Sequence, residues 1–392
     1  MKQSPTLSFD NTEVAFAYQS DKALKKARFI FSAMRLGWLV KAGSALAPWA
    51  LKIGLPIKGL IRHTVFRQFC GGETLEEAAE TAGKLAAFRV GVILDYGVEA
   101  AEGEASYDQA VSEFKKAISY AAGKSSIPFI SLKVTGFARF ALLEKIHAAG
   151  SLDEAEQAEW ERVRDRIYAI CSHAGEKGIG VLVDAEESWI QQPVDDLAGE
   201  MMARFNTRRA VVYNTFQLYR HDRLAFLQQS FVRAQEAKFL LGAKLVRGAY
   251  MEKERKRAVE KGYPSPIQPD KAATDRAYDQ AVAFCLERLE SIVTFIGTHN
   301  EQSCLLGARL LEENGIPPRH PHVHFSQLYG MSDNITFNLA DAGYHASKYV
   351  PYGPIKEVMP YLIRRAQENS SVSGQVVRDR LLIREEIKRR RL

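Results

Sequence analysis

The chain has 392 residues, 46% of them hydrophobic and 26% charged, which excludes a disordered protein and leaves two or three ordinary domains, or one large α/β barrel with an extension. Its four cysteines, Cys70, Cys171, Cys285 and Cys304, form no CxxC pair, which argues against a structural zinc and for a reducing compartment. The net charge of +6 is exceeded by one segment alone: Lys22 to Gly72 holds ten basic residues and no acidic one.

In chain order, "MKQSPTLSFDNTEVAF" has no apolar h-region and carries Asp10 and Glu13, unlike a secretory signal or an acid-poor transit peptide, so an intracellular protein is expected. Residues 1–87 read as a helical arm. Within it the basic stretch 22–72 is also apolar, but its longest uncharged run, Ala42 to Leu51, is far shorter than the roughly 18 residues a membrane span needs. Such a segment fits an anionic lipid surface and equally a helical cap packed on the main domain with snorkelling lysines. Nucleic acid is a third use of the charge, but no reading motif accompanies it, and no nucleic-acid partner is expected.

Residues 88–392 read as the catalytic domain, ending in a basic C-terminal tail, and from 88 on repeat one pattern, a short β-branched run followed by a polar residue, a loop and an amphipathic helix. The runs are 88–96, 129–136, 178–187, 210–219, 242–250, 292–300, 322–330 and 344–353. Strict alternation implies a parallel sheet with right-handed crossovers, and eight repeats point to an α/β fold of the (βα)8 TIM-barrel type. In such barrels chemistry sits at the carboxyl ends of the strands. The polar residues there are Asp95, Lys133, Asp184, Gln217, Arg247 with Lys244 earlier on the same strand, Thr298 with His299, Gln327 and Tyr349.

No G-x-G-x-x-G follows the first strand and no P-loop occurs. "DAEES" (184–188) offers carboxylates, of which Asp184 and Glu186 are expected to share a strand face while Glu187 turns away. His320, His322 and His324 alternate as a zinc cluster could, which keeps a metal-dependent barrel hydrolase as an alternative. They enter the seventh strand at the barrel's non-catalytic end, so no metal site is assigned. Lys133 or Lys244 could also serve as a Schiff-base lysine. "KLVRGAY" (244–250) lets backbone approach a ligand at Gly248 beside Arg247, as a phosphate or pyrophosphate requires, and "GTHN" (297–300) adds a hydroxyl and a ring nitrogen.

The motifs "LDYGVEA", "SLKVTG", "VDAEE", "KLVRGAY", "GTHN", "QLYGM" and "KYVPYG...YLIRRAQEN", in this order over residues 90–372, resemble proline dehydrogenase. The resemblance implies a barrel that binds FAD noncovalently, oxidises L-proline to Δ1-pyrroline-5-carboxylate and reduces a membrane quinone, the first step of proline degradation. It implies that Lys133, Arg364 and Arg365 hold the substrate carboxylate, that Tyr349 packs on its ring, and that Tyr250 and Leu328 wall the pocket. Asp184 and Lys244 become the catalytic residues, expected to tune the substrate amine's proton and the charge of the reduced flavin. Gln217, Val246, Arg247, Gly248, Ala249, Lys271, Thr298, His299 and Asn300 fall on cofactor contacts.

The resemblance further implies a last barrel helix lying over the mouth, with Glu368 orienting one arginine, whereas an ordinary final helix would leave Arg364 and Arg365 solvated on the outer wall. It implies an enzyme at the cytoplasmic face of an inner membrane, or in the mitochondrial matrix of a eukaryote; an enzyme that reduces a membrane quinone must reach the membrane, and the basic stretch 22–72 is the expected contact. The chain has no room for a fused aldehyde dehydrogenase, so a separate pyrroline-5-carboxylate dehydrogenase is the expected pathway partner. A hydroxyproline dehydrogenase is the alternative within the family, disfavoured by the bulk of Tyr349.

Overall fold

The computed structural model describes residues 7–34, 36–53, 55–97, 103–370 and 374–392, and the side chains of Leu39 and of residues 368–370 and 374–376 also fall outside the description. The expectation for Glu368 therefore lies outside the described residues, as does the end of the "LDYGVEA" motif. Eight strands hydrogen-bond in chain order into a closed parallel barrel: β1 (Val90–Tyr96), β2 (Phe129–Leu132), β3 (Gly180–Val183), β4 (Val212–Gln217), β5 (Leu241–Val246), β6 (Ile292–Gly297), β7 (Val323–Leu328) and β8 (Ala346–Tyr352). Seven of the eight expected runs contain their strand, β5 begins one residue before its run, and each strand is shorter than the run expected for it. Every residue of β2, β3 and β4 is buried, as parallel strands covered on both faces require.

The chain divides into two compact units. Ala100–Thr298 with Gln302–His324 carries β2 to β6. Two of its helices begin where the sequence offers caps: Asp153 and Glu156 form a capping box for Glu154–Lys177, and the Asp270 carboxylate accepts from the Ala273 amide at 2.7 Å to start Lys271–Leu286. Near the amino-terminal ends of β2 and β4, Phe129 and Tyr213 meet Phe295, and His324 stacks on Phe295 at 4.8 Å between centroids.

Met1–Glu99, His299–Glu301 and Phe325–Leu392 form the other unit, with β1, β7 and β8. The helix Leu75–Ala86, capped by Thr74, packs along β1 and β8. The helix that follows β8, Ile355–Ser370, packs instead on the arm helices Asp21–Met34 and Gly37–Lys52. Its Ile355, Val358, Met359 and Leu362 join Phe31, Phe66, Phe69 and Met331 in one apolar cluster, with Leu328 against it, so this helix lies at the carboxyl ends of β7 and β8. The basic C-terminal stretch folds as a helix, Gly374–Arg389, in which buried Glu386 takes Arg389 at 2.8 Å and Arg390 at 2.7 Å.

Candidate active site

Parallel register brings three expected residues together. β2 pairs with β3 so that Leu132 faces Val183, which carries Lys133 and Asp184 past the strand ends side by side. β5 pairs with β4 so that Lys244 faces Thr215. The Asp184 carboxylate is buried, accepting from Lys244 Nζ at 2.6 Å and Ser131 Oγ at 2.7 Å on Oδ1, with Lys133 Nζ 3.4 Å from Oδ2. Burial alone would raise this carboxyl, but the Lys244 and Lys133 charges and the two hydrogen bonds outweigh it and hold Asp184 well below the usual carboxylate range. One carboxylate between two ammonium groups leaves a net positive charge, and an ammonium has three donors. Lys133, only half-buried, can therefore bind Asp184 and a ligand carboxylate together.

The expected pairing of Asp184 with Glu186 is not found. β3 ends at Val183, so alternation no longer governs the next residues, and Glu186 turns to Thr135, accepting from its hydroxyl at 2.6 Å and its amide at 3.2 Å. Gln217 is buried, donating to the Glu186 carbonyl at 2.7 Å. Burial pushes the Glu186 carboxyl up to about 7, opposed by the Thr135 hydroxyl and assisted by the Glu187 charge. The folded state therefore holds this proton more tightly than an unfolded chain with the ordinary value of 4.5. Stability declines as pH rises from about 4.5 to about 7, by at most ~1.4 kcal/mol per pH unit. Glu186→Gln is expected to remove that decline. Urea midpoints at pH 5 and pH 7.5 check it, and an equal wild-type-to-variant difference at both values would reject it.

A second cluster assembles on Asp275. Arg247 donates from Nε to Asp275 at 2.8 Å, from Nη1 to Thr298 at 2.6 Å and from Nη2 to Ser303 at 3.0 Å, and Lys271 pairs with the other Asp275 oxygen. The guanidinium also lies 4.4 Å above the Tyr278 ring. Two expected cofactor residues, Arg247 and Lys271, are thus gathered by one acid that the sequence reading missed, with Thr298 joined through Arg247, although Asp275 stands four residues after Lys271 and so on its helix face. Beside them Val246 closes β5, and the backbone of Gly248 and Ala249 is exposed, with Tyr250 half-buried. Gly248 has φ +135, and a Cβ there would lie 2.5 Å from the buried Tyr219 ring. Further on, fully buried Glu254 accepts from both the amide and the hydroxyl of Ser188 at 2.6 Å, tying the segment after β5 to the loop after β3.

The other unit carries the remaining candidates. Tyr349 is buried on β8, Leu328 ends β7 half-buried, and Arg364 and Arg365 lie on the Ile355–Ser370 helix, Arg365 buried with its guanidinium 5.3 Å from the Tyr361 ring. His299 Nδ1 is 2.8 Å from the Ser332 hydroxyl, and Asn300 is half-buried beside it. The histidine run is held otherwise: His322 Nδ1 faces the Leu289 carbonyl, and His324 Nε2 faces that of Pro321 at 3.1 Å. Among the described residues no three His, Cys, Asp or Glu side chains gather as a metal site would need.

A family model described as proline dehydrogenase matches residues 78–378. Among curated proteins, the carbapenem antibiotics biosynthesis protein CarD of Pectobacterium carotovorum is 36% identical over 322 residues, 82% of this chain and 83% of its own. The mitochondrial proline dehydrogenase 1 of Dictyostelium discoideum is 32% identical over 388 residues, 86% of this chain and 67% of its own. The hydroxyproline dehydrogenase of Xenopus laevis is 32% identical over 365 residues, 84% and 78%. Among solved structures, proline utilization A from Bdellovibrio bacteriovorus, inactivated by N-propargylglycine, superposes with a TM-score of 0.72 at 20% identity, covering 94% of this chain and 40% of that one, a likeness of fold.

Proposed function

The chain belongs to the proline dehydrogenase family of oxidoreductases, and on that premise we propose that it oxidises L-proline to Δ1-pyrroline-5-carboxylate with FAD as cofactor and a membrane quinone as final acceptor. The observation that carries this reading is the buried Asp184 carboxylate held between Lys244 and Lys133. Proline is a zwitterion. Lys133, Arg364 and Arg365 bind its carboxylate, charged hydrogen bonds that contribute about 1.5–3 kcal/mol each, while Tyr349 packs on the ring and Leu328 and Tyr250 exclude water. That fixes the ring for reaction at C5. Ionised Asp184 holds Lys244 and Lys133 in place, so that their charges face the substrate.

The residues fit a flavin. Arg247 and Lys271 put two cations on one Asp275 carboxylate, leaving positive charge beside the exposed Gly248–Ala249 backbone, as a pyrophosphate needs. Gln217, Val246, Thr298, His299 and Asn300 complete the proposed contacts. When bound, FAD supplies the hydride acceptor. Gly248→Ala is expected to lower flavin per protein, because the positive φ and the Tyr219 ring together make a Cβ there cost about 1–3 kcal/mol. Absorbance of the purified variant measures it, and full flavin content would remove Gly248 from the cradle.

The test is direct. The purified protein should be yellow, bleach under anaerobic proline and reduce a soluble dye, and a colourless protein inert to proline would end the proposal. The hydroxyproline dehydrogenase relative supports a second reading. Tyr349 at the substrate ring favours proline, so kcat/KM should be lower for 4-hydroxyproline, and equal values would favour the second reading.

A further inference from the structure

The arm helix Gly37–Lys52 has two apolar faces, and the described residues cover only one. Inward, Val40 and Ala50 are buried, and Ala47 and Leu51 pack on the apolar cluster. Outward, Trp38 is 70% exposed, Trp49 57% and Leu46 60%. At about 100° per residue, Trp38, Ala45, Leu46, Trp49 and the C-cap Ile53 fall within an arc of about 100°. This is one stripe, not scattered exposure, and Leu36, Leu55 and Leu60 extend the exposed apolar surface along the flanking chain. An exposed patch of this kind marks an interaction site.

The charge around it selects the occupant. Lys41 and Lys52 border the stripe along one edge, and Lys22, Lys25 and Arg28 stand exposed with Phe29 on the preceding helix, Asp21–Met34. These five cations form no ion pair among the described residues, and Lys22 to Gly72 contains no acid. A second copy seated on this face would set cation against cation. An anionic bilayer would not: tryptophans settle at the headgroup level, lysines reach the phosphates, and apolar side chains enter the acyl boundary. The helix is about 24 Å long, and no helix of the described residues is long and apolar enough to cross a membrane. It lies on the surface.

We infer that the outer face of Gly37–Lys52, through Trp38, Leu46, Trp49 and Ile53 with Lys41 and Lys52, is a docking surface for anionic phospholipid. This deepens the proposal of a membrane quinone as acceptor, and it is tested apart from it. The purified flavin-loaded protein is floated with vesicles of phosphatidylcholine containing phosphatidylglycerol, with vesicles of phosphatidylcholine alone, and at raised salt. Flotation is expected with the anionic vesicles only, weakening with salt. The Trp38→Ser/Trp49→Ser variant and, separately, the Lys41→Glu/Lys52→Glu variant should each lower vesicle partitioning about tenfold or more while keeping dye-linked proline oxidation, which also certifies folding. Wild-type protein that stays unbound, binds neutral vesicles equally, or buries the face in a concentration-dependent dimer without binding lipid would overturn the inference. So would variants that float like wild type. Loss of proline oxidation in the wild type would instead strike the proposed function and leave the flotation result standing.

Discussion

Asp184→Ala is expected to lower kcat for proline about a hundredfold or more, with flavin per protein close to wild type. The residue sits under both lysines, 2.6 Å from Lys244 and 3.4 Å from Lys133, so its loss frees their positions and leaves their charges unneutralised. Taking one partner from a buried pair also costs about 3–5 kcal/mol of stability. Asp184→Asn separates the effects, since it keeps the shape and one acceptor. A folded, yellow Asn variant with wild-type turnover would defeat the assignment. The carboxyl is held below its ordinary value of 3.8, so its stabilising contribution is fully present above that pH and is lost only as pH falls through the lower folded value. A rate profile between pH 6 and 9 should therefore carry no step from Asp184.

Arg365→Met is expected to raise KM for proline about 10- to 100-fold through the loss of one charge-assisted bond, with kcat changed less. The side chain is buried and lies beside the Tyr361 ring, so methionine keeps much of its packing volume. Arg365→Lys should recover part of the loss. Unchanged KM together with a lowered Tm would make the arginine a packing residue and leave the carboxylate to Lys133 and Arg364.

The barrel was legible because eight β-branched runs repeat in order, but the sequence overstated each strand. In "SLKVTG" and "VDAEE" apolar residues continue past the last ladder bond, and backbone pairing stops at Leu132 and Val183. That is why the alternation rule failed for Asp184 and Glu186, and why both could turn to other partners. Ser131 could have been found, since it stands two residues before Lys133. Glu254 could not, because nothing local marks an acid that meets Ser188 from 66 residues away. The C-terminal stretch read as a basic tail because its charges dominate, yet Leu382, Ile383 and Ile387 supply a buried helical stripe. Asp275 was hidden by treating Lys271 alone.

The helix Leu75–Ala86 against β1 and β8 has a consequence for how the protein folds. β1 finds its register on β8, Val90 opposite Ala346, and the Gly71 amide donates to the Pro351 carbonyl. The segment at residues 71–96 must therefore wait, its apolar faces uncovered, until about 250 further residues have been made, and closures over such separations are slow. Refolding is expected to accumulate a species that exposes this seam. A chaperone that shields it would speed recovery of activity more than it would for a protein closed by neighbouring elements.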